Sequence, residues 1–281
     1  MAEISIIIRT LNEEKYLSRL LSAIDQQKID SSIQVILIDS GSSDNTLTIA
    51  KAYGCKIMHI AKDQFSFGRS LNYACLEATS PILAFISGHC IPSNPRWLEM
   101  LVAPLLNNRV QYSYGRQLPG PETYFSEAQI FSRYFPAKSS IPQDGYFCNN
   151  ANSAILRSVW QKYNFDEYLT GLEDLHLAER LCNDGGVLGY VAEASVYHLH
   201  HENWHQIQRR FERESKAMQY INPRLYLQKH DCIRYFLNAI SNDISRAISS
   251  SLDPYTYYSI IRYRFHQYIG TYIGSHHNDS H

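Results

Sequence analysis

The sequence predicts an α/β protein built on a doubly wound, mostly parallel sheet with helices on both faces, followed by a helical C-terminal extension. Three observations carry this. Short continuous apolar runs recur, as strands buried on both faces require. Helical patterns alternate with them through residues 1–105, which is the signature of parallel βαβ units. Beyond residue 205 the apolar positions keep helical spacing.

Residues 4–8, Ile-Ser-Ile-Ile-Ile, give the first strand, and Asn12-Glu13-Glu14 then opens a helix with Leu17, Leu20, Leu21 and Ile24 on one face. The second strand, Val35-Ile36-Leu37-Ile38, ends at Asp39; DSGSSDNT follows and a helix starts near Thr46. A third strand is expected at 56–60, a helix at 70–77 and a fourth strand at 82–86. That fourth strand runs into Ser87-Gly88-His89-Cys90, and Pro92 stops the sheet. Residues 106–150 are rich in Pro, Gly, Tyr and Ser and read as loops around one strand at 110–115. Helices return at 158–163 and 173–183, followed by a strand near 187–192 and the run VYHLHHENW. Such a sheet places its ligand crevice at the strand carboxyl ends.

With 281 residues the chain holds one large α/β domain and an appendage, or two modest domains. Its 44% hydrophobic and 19% charged residues suffice for a large core and argue against global disorder. Lys and Arg number 26 against 27 Asp and Glu, a net charge of −1, which gives no electrostatic case for nucleic acid as partner. Six cysteines without paired spacing read as reduced thiols. The start, MAEISIIIRT, is not expected to act as a signal peptide, and no stretch approaches the roughly 18 apolar residues of a membrane-spanning helix. A cytoplasmic protein is the expectation.

Three groups of residues can carry chemistry. Asp39 stands at the tip of a buried strand, where a carboxylate accepts hydrogen bonds from a base or ribose and small residues let a ligand approach the backbone. A turn followed by a helix cap, with Asp44 or Asn45 as the cap, explains the same residues equally well. The loop lacks G-x-G-x-x-G, which counts against a dinucleotide. In GLEDLHLAERL, Glu173 and Asp174 begin a helix; the dipole alone favours acids there, and a general base at a crevice edge is the functional alternative. His89 ends one strand while His198, His200 and His201 follow another. Alternation points His198 and His200 to one side, where they suit a shared ligand or metal, whereas a lone histidine is usually a satisfied polar residue. Neither H-E-x-x-H nor a Cys/His zinc spacing is present.

Together these residues resemble family 2 glycosyltransferases of the GT-A fold, in order over roughly residues 3–215. IIIRTLNEEKYL is similar to the family's opening strand and turn, and VILIDSGSSDNT to its nucleotide-binding strand, with Asp39 and Asp44 as the two aspartates. FGRSLNYACLEATSPILAFIS is similar to the helix carrying Gly68 and Asn72 and to the strand before the metal motif. NNANSAILRSVWQKYNFDEYLTGLEDLHLAERL resembles the acceptor-side segment that ends in the acidic pair. The bacterial surface-polysaccharide branch, with its rhamnosyltransferase-like members, is nearest in character. The resemblance implies a catalytic domain over 1–215, with a nucleotide-binding half (1–105) and an acceptor-side half (106–215), and leaves 216–281 outside as a helical extension.

The activity so implied is inverting transfer of a sugar from a nucleotide donor, UDP- or dTDP-linked, to a hydroxyl of a glycan or lipid-linked glycan in surface polysaccharide or glycoconjugate assembly. Asp174 would be the general base, beside Glu173, while Arg9, Thr10, Asp39, Ser40, Asp44, Arg69, Asn72, Ser87 and Arg116 would serve the donor. Where the family carries Asp-x-Asp, this chain has Ser87-Gly88-His89. The polypeptide N-acetylgalactosaminyltransferases resemble it locally, with Asp-x-His-Cys in that turn, which implies that His89 binds Mn2+ or Mg2+ together with His198. A metal-free version would set His89, Arg69 or Arg116 against the diphosphate. QIQRR at 206–210 has the outline of the Gln-x-x-Arg-Trp motif of processive synthases, with Arg210 in place of Trp; a charged helix face is the alternative.

Two other classes compete with this reading. A nucleotide-sugar-binding module without turnover has no need of the Glu173-Asp174 pair, and a nucleotidyltransferase needs a Gly-rich basic loop that RTLNEEKYL does not provide. In the extension, Ile233, Phe236, Leu237, Ile240, Ile244 and Ile248 keep helical spacing, and the end is rich in Tyr and Arg. Packing on the catalytic domain is the expectation there, ahead of a homodimer or a peripheral membrane contact, because the stripe is narrow and the local positive charge small.

Overall fold

A computed structural model describes residues 3–200, 202–249 and 252–276, so His201 lies outside the described residues. Strands β1 (Ile4–Thr10), β2 (Ile33–Asp39), β3 (Lys56–His59) and β4 (Ile82–Ser87) alternate with helices α1 (Glu14–Asp25), α2 (Thr46–Ala52) and α3 (Phe67–Glu77). Every pairing among these four strands is parallel, because each helix carries the chain back to the same end of the sheet. There follow β5 (Cys90–Pro92), α4 (Trp97–Leu106), β6 (Tyr112–Pro119), α5 (Phe125–Tyr134), β7 (Asn152–Leu156), α6 (Arg157–Tyr163), α7 (Glu173–Asn183) and β8 (Leu188–His198). The last three helices are α8 (Trp204–Ile221), α9 (Lys229–Ser249) and α10 (Pro254–Ser275).

The eight strands form one sheet in the order β3-β2-β1-β4-β7-β6-β8-β5. β7 runs antiparallel to β4 and β6, and β5 antiparallel to β8, so the sheet is parallel in its first half and mixed beyond it. Alternation sorts the strand residues. Ile4, Ile6, Ile8, Leu37, Ala84 and Ile86 join a core with the apolar faces of α1 and α4. Ile7, Ile36, Ile38 and Phe85 are buried on the opposite face, where Phe85 meets Phe165 edge-on.

The described residues divide into two compact units. The first holds the sheet with α1 to α4, α6 and α7; the second comprises residues 119–134, 169–172 and those from 200 onward. Within the second, α8 and α10 lie backbone to backbone. A Cβ at Gly270 would stand 2.3 Å from the Gln208 carbonyl oxygen, and one at Gly274 2.1 Å from that of Glu212, so only glycine permits the approach.

Several elements escape the sequence pattern. β7 is a central strand with Asn152 and Ser153 at its start, and both are buried. Their side chains are satisfied: Asn152 accepts from Trp97 Nε1 at 2.8 Å and donates to the Ala194 carbonyl at 2.8 Å. Helix α5 sits inside the stretch that composition marks as loop. In α9 the apolar stripe is packed only in part, with Phe236, Ile240 and Ile244 half-buried. Asp243 and Ala247 are buried, Asp243 pairing with Arg264 of α10 at 2.7 Å, while Cys232 and Phe236 meet Tyr268. Ile233, Leu237 and Ile248, one position further round the helix, stay more than half exposed.

Candidate functional site

The carboxyl ends of β1, β2 and β4 stand side by side, with Thr10 paired to Asp39 and Arg9 to Ser87. From that edge the Arg9 guanidinium reaches Glu173 Oε1 at 3.4 Å, at the start of α7. It also donates to the Phe67 carbonyl oxygen and lies 4.4 Å over the Phe67 ring. Glu173 is buried, so this pair is partly desolvated.

Asp174 follows Glu173 and is equally buried. The backbone reaches this turn through Leu172 with φ of 60°, a region leucine rarely occupies. Asp174 Oδ1 accepts the Leu175 N–H at 2.8 Å and Oδ2 the Asn150 N–H at 2.7 Å, which fixes the carboxylate between the helix start and the loop before β7. Burial pushes its pKa up to about 7 and the charge of Glu173 adds to the rise, against the two N–H donors and Arg9. A carboxylate poised there is matched to proton abstraction near neutral pH. Asn150 is itself anchored: its Oδ1 accepts from Tyr112 and Ser153, while its buried Nδ2 has no partner among the described residues.

Asp39 shapes the turn after β2. Its Oδ2 accepts the Gly41 and Ser42 N–H groups at 2.9 Å each, and its Oδ1 accepts from Thr10 and Ser42 hydroxyls. Ser40 donates to the Thr10 carbonyl at 3.2 Å. Asn12 clasps the facing loop, donating its N–H to Ser42 and accepting from Ser43. Asp44 accepts from Thr46 and Glu14 N–H groups at 3.0 and 3.1 Å, so it holds the first N–H of α2, one residue before the Asn45 cap position, and ties the two loops together.

The Ser87-Gly88-His89 turn explains itself through Glu13. His89 Nδ1 lies 2.8 Å from Glu13 Oε1, and its Nε2 lies 3.1 Å from His198 Nε2. His198 Nδ1 lies 2.6 Å from Gln117 Oε1, and Gln117 in turn donates to Asn149. An oxygen against each Nδ1 selects the tautomer with the proton there, which turns two Nε2 lone pairs toward each other. A shared proton or a cation satisfies such a pair, and 3.1 Å suits two neighbouring ligand positions around a metal with bonds near 2.1 Å. The residues therefore fit a divalent ion. A Cβ at position 88 would stand 2.8 Å from Glu13 Cγ; glycine there lets the carboxylate reach His89.

Not every candidate joins this group. Asn72 donates to the Phe165 carbonyl and Glu167 and accepts from Trp160 Nε1 and the Phe165 N–H. That uses all four positions of its amide, so it holds the loop after α6, where Gly68 touches the Asp166 carbonyl. Arg69 pairs with Glu167 at 2.9 Å and donates to the Gln64 carbonyl, and Arg116 donates to the Phe135 carbonyl at 3.3 Å. In the second unit, Arg210 of QIQRR lies 2.7 Å from both Glu127 and Glu202, and His200 Nδ1 lies 2.7 Å from Glu127. These three acceptors gather ligand atoms, but the guanidinium already answers both carboxylates. Gln206 closes a capping box with Asn203. Glu13, Gln117 and Asn150 are the site residues that sequence reasoning missed.

The chain matches the model of Glycosyl transferase family 2 over residues 5–163. It is 31% identical over 188 residues to the O-antigen chain rhamnosyltransferase WbaN of Salmonella anatum, covering 62% of this chain and 59% of that one. It is 28% identical over 212 residues to the O-antigen chain rhamnosyltransferase RfbN of Salmonella typhimurium, covering 70% and 67%. The match thus spans about three-fifths to two-thirds of the length of these relatives. Among solved structures, the mannosyltransferase PcManGT of Pyrobaculum calidifontis, in complex with GDP-Man and Mn2+, aligns with a TM-score of 0.64 at 13% identity, over 96% of this chain and 87% of that one. Glucosyl-3-phosphoglycerate synthase of Mycobacterium tuberculosis, in complex with Mn2+, UDP-glucose and phosphoglyceric acid, aligns with a TM-score of 0.57 at 19% identity, over 79% of each chain. At these identities the likeness establishes the GT-A fold. With the family match covering more than half of its residues, the chain belongs to glycosyl transferase family 2.

Proposed function

We propose that the chain transfers a sugar, with inversion, from a nucleoside-diphosphate sugar to an acceptor hydroxyl in surface glycan assembly. One observation carries the reading: Asp174, buried and with its pKa raised to about 7, is tied through Glu173 and Arg9 to the strand ends that bear Thr10, Asp39 and Ser87. The names of the two Salmonella relatives support a deoxyhexosyl group such as rhamnosyl and a glycan acceptor; a dTDP- or UDP-linked donor and a lipid-linked form of the acceptor complete the proposal.

Asp174 takes the proton of the acceptor hydroxyl as its oxygen attacks the anomeric carbon. The bond to the diphosphate oxygen breaks on the opposite face, and its electron pair leaves with the nucleotide. Glu173, held by Arg9, keeps a negative charge beside Asp174 and so maintains its basicity. On the donor side, Asp39 holds the turn at 40–42 rigid for the base, with Thr10, Ser40 and Ser87 along the same edge. His89 and His198 would hold a divalent cation, Mn2+ or Mg2+, which when bound offsets the charge developing on the diphosphate.

Incubation with UDP-, dTDP-, GDP- and CMP-sugars, with and without Mn2+, tests the reading through nucleotide release. Release that grows with added acceptor supports transfer. Binding of a donor without release would make the chain a silent binder, and pyrophosphate exchange would make it a nucleotidyltransferase.

A further inference from the structure

Helix α10 presents Tyr258, Ile261, Phe265 and Ile273 outward, at 52, 47, 50 and 37% exposure. Their spacing keeps them on one side of the helix, away from the side where Gly270 and Gly274 meet α8. From Tyr258 to Ile273 the strip runs about 22 Å. It continues past the helix end, where Tyr226, half exposed, packs tilted against His276 with ring centres 4.4 Å apart, next in sequence to the equally exposed Leu225.

The charge along this strip is basic, while exposed Asp253 caps the start of α10 and Glu122 and Glu202 line a cavity with Tyr255 at that end. α10 contains no Asp or Glu. Arg262 lies along the strip and donates to the Tyr258 hydroxyl at 2.9 Å. Arg224 and Lys229 are exposed near Leu225 and Tyr226 in sequence. Over residues 216–276 there are seven Lys and Arg against three Asp, in a chain whose net charge is −1. Two of those aspartates are already answered, Asp243 by Arg264 and Asp231 by Arg234.

We infer that this face of α10 docks into the interfacial layer of a bilayer that contains anionic lipid. Tyrosines and a phenylalanine among isoleucines, with arginine and no acid, match the boundary between headgroups and acyl chains. The basic excess complements an anionic surface. Among the described residues no helix is long and apolar enough to cross a membrane, and the inferred contact is with the bilayer surface. A second copy fits the face less well: a two-fold contact would set its basic rim against itself, and the strip, roughly 22 Å by 10 Å, is far below the about 800 Å2 per partner of a stable interface.

This inference is independent of the proposed activity. The test is cosedimentation of the whole chain with phosphatidylcholine vesicles, with and without phosphatidylglycerol, at low salt. The wild type binds the anionic vesicles, and Ile261→Asp with Phe265→Asp weakens that binding at least about tenfold. Arg224→Glu with Lys229→Glu removes the preference for phosphatidylglycerol. Circular dichroism checks that both variants fold; the substituted positions are exposed. No binding by the wild type, or binding that neither folded variant alters, would overturn the inference. So would a vesicle-free dimer that Phe265→Asp dissolves.

Discussion

His89 and His198 meet Nε2 to Nε2 at 3.1 Å, and the Glu13 carboxylate stands 2.8 Å behind, against His89 Nδ1. Gly88 makes room for it. In the proposed metal site, Ser-Gly-His would supply an imidazole ligand that the Glu13 carboxylate orients.

His89→Ala is expected to weaken Mn2+ binding and the Mn2+ dependence of transfer. Glu13→Gln should reduce Mn2+ affinity about 10- to 100-fold while leaving the histidines in place. Gly88→Ala should resemble Glu13→Gln, since the new Cβ displaces Glu13. Titration of free Mn2+ by electron paramagnetic resonance reads all three. Unchanged affinity in His89→Ala would remove the metal from this position.

The pH dependence follows from Asp174. Its folded pKa of about 7 lies above the ordinary aspartate value of 3.8, so the base form is lost below neutrality. kcat/KM should rise about tenfold per pH unit up to pH about 7 and level off above. Glu173→Gln removes a charge that raises this pKa and should move the inflection to lower pH. Stability runs the other way. The folded state keeps a proton that the unfolded chain has lost, so this group favours folding at low pH, and that contribution disappears as pH climbs through about 7.

Asn72→Ala separates structural from binding roles. The substitution leaves Trp160 Nε1 and the Phe165 N–H unsatisfied. A loss of about 1–3 kcal/mol in chemical denaturation is expected, with nucleotide affinity little changed in the folded protein. A large loss of affinity without a loss of stability would support a donor-binding role for Asn72.

Much of this architecture was legible because it is local. The apolar runs that form β1, β2 and β4 and the acids that open α7 each lie within a dozen residues, where periodicity and capping signals operate. The partners of those residues are not local. Glu13 and His89 are 76 positions apart, and Asn72 finds Trp160 and Phe165 at separations of 88 and 93. No spacing rule reaches that far. β7 was hidden because buried Asn152 and Ser153 read as turn residues until their hydrogen bonds are seen. In α9 the apolar stripe is packed only in part: Phe236 meets Tyr268 while Ile233, Leu237 and Ile248 stay exposed, and the fully buried positions are Ala247 and an aspartate that Arg264 neutralises.

The general base is tested most directly by single-turnover sugar transfer with Asp174→Asn at saturating donor, alongside nucleotide affinity. Transfer should fall at least about 100-fold, with nucleotide binding kept and folding stability at pH 8 no lower, since a buried charge has been removed. Transfer at the wild-type rate would contradict the assignment, and with it the proposed site.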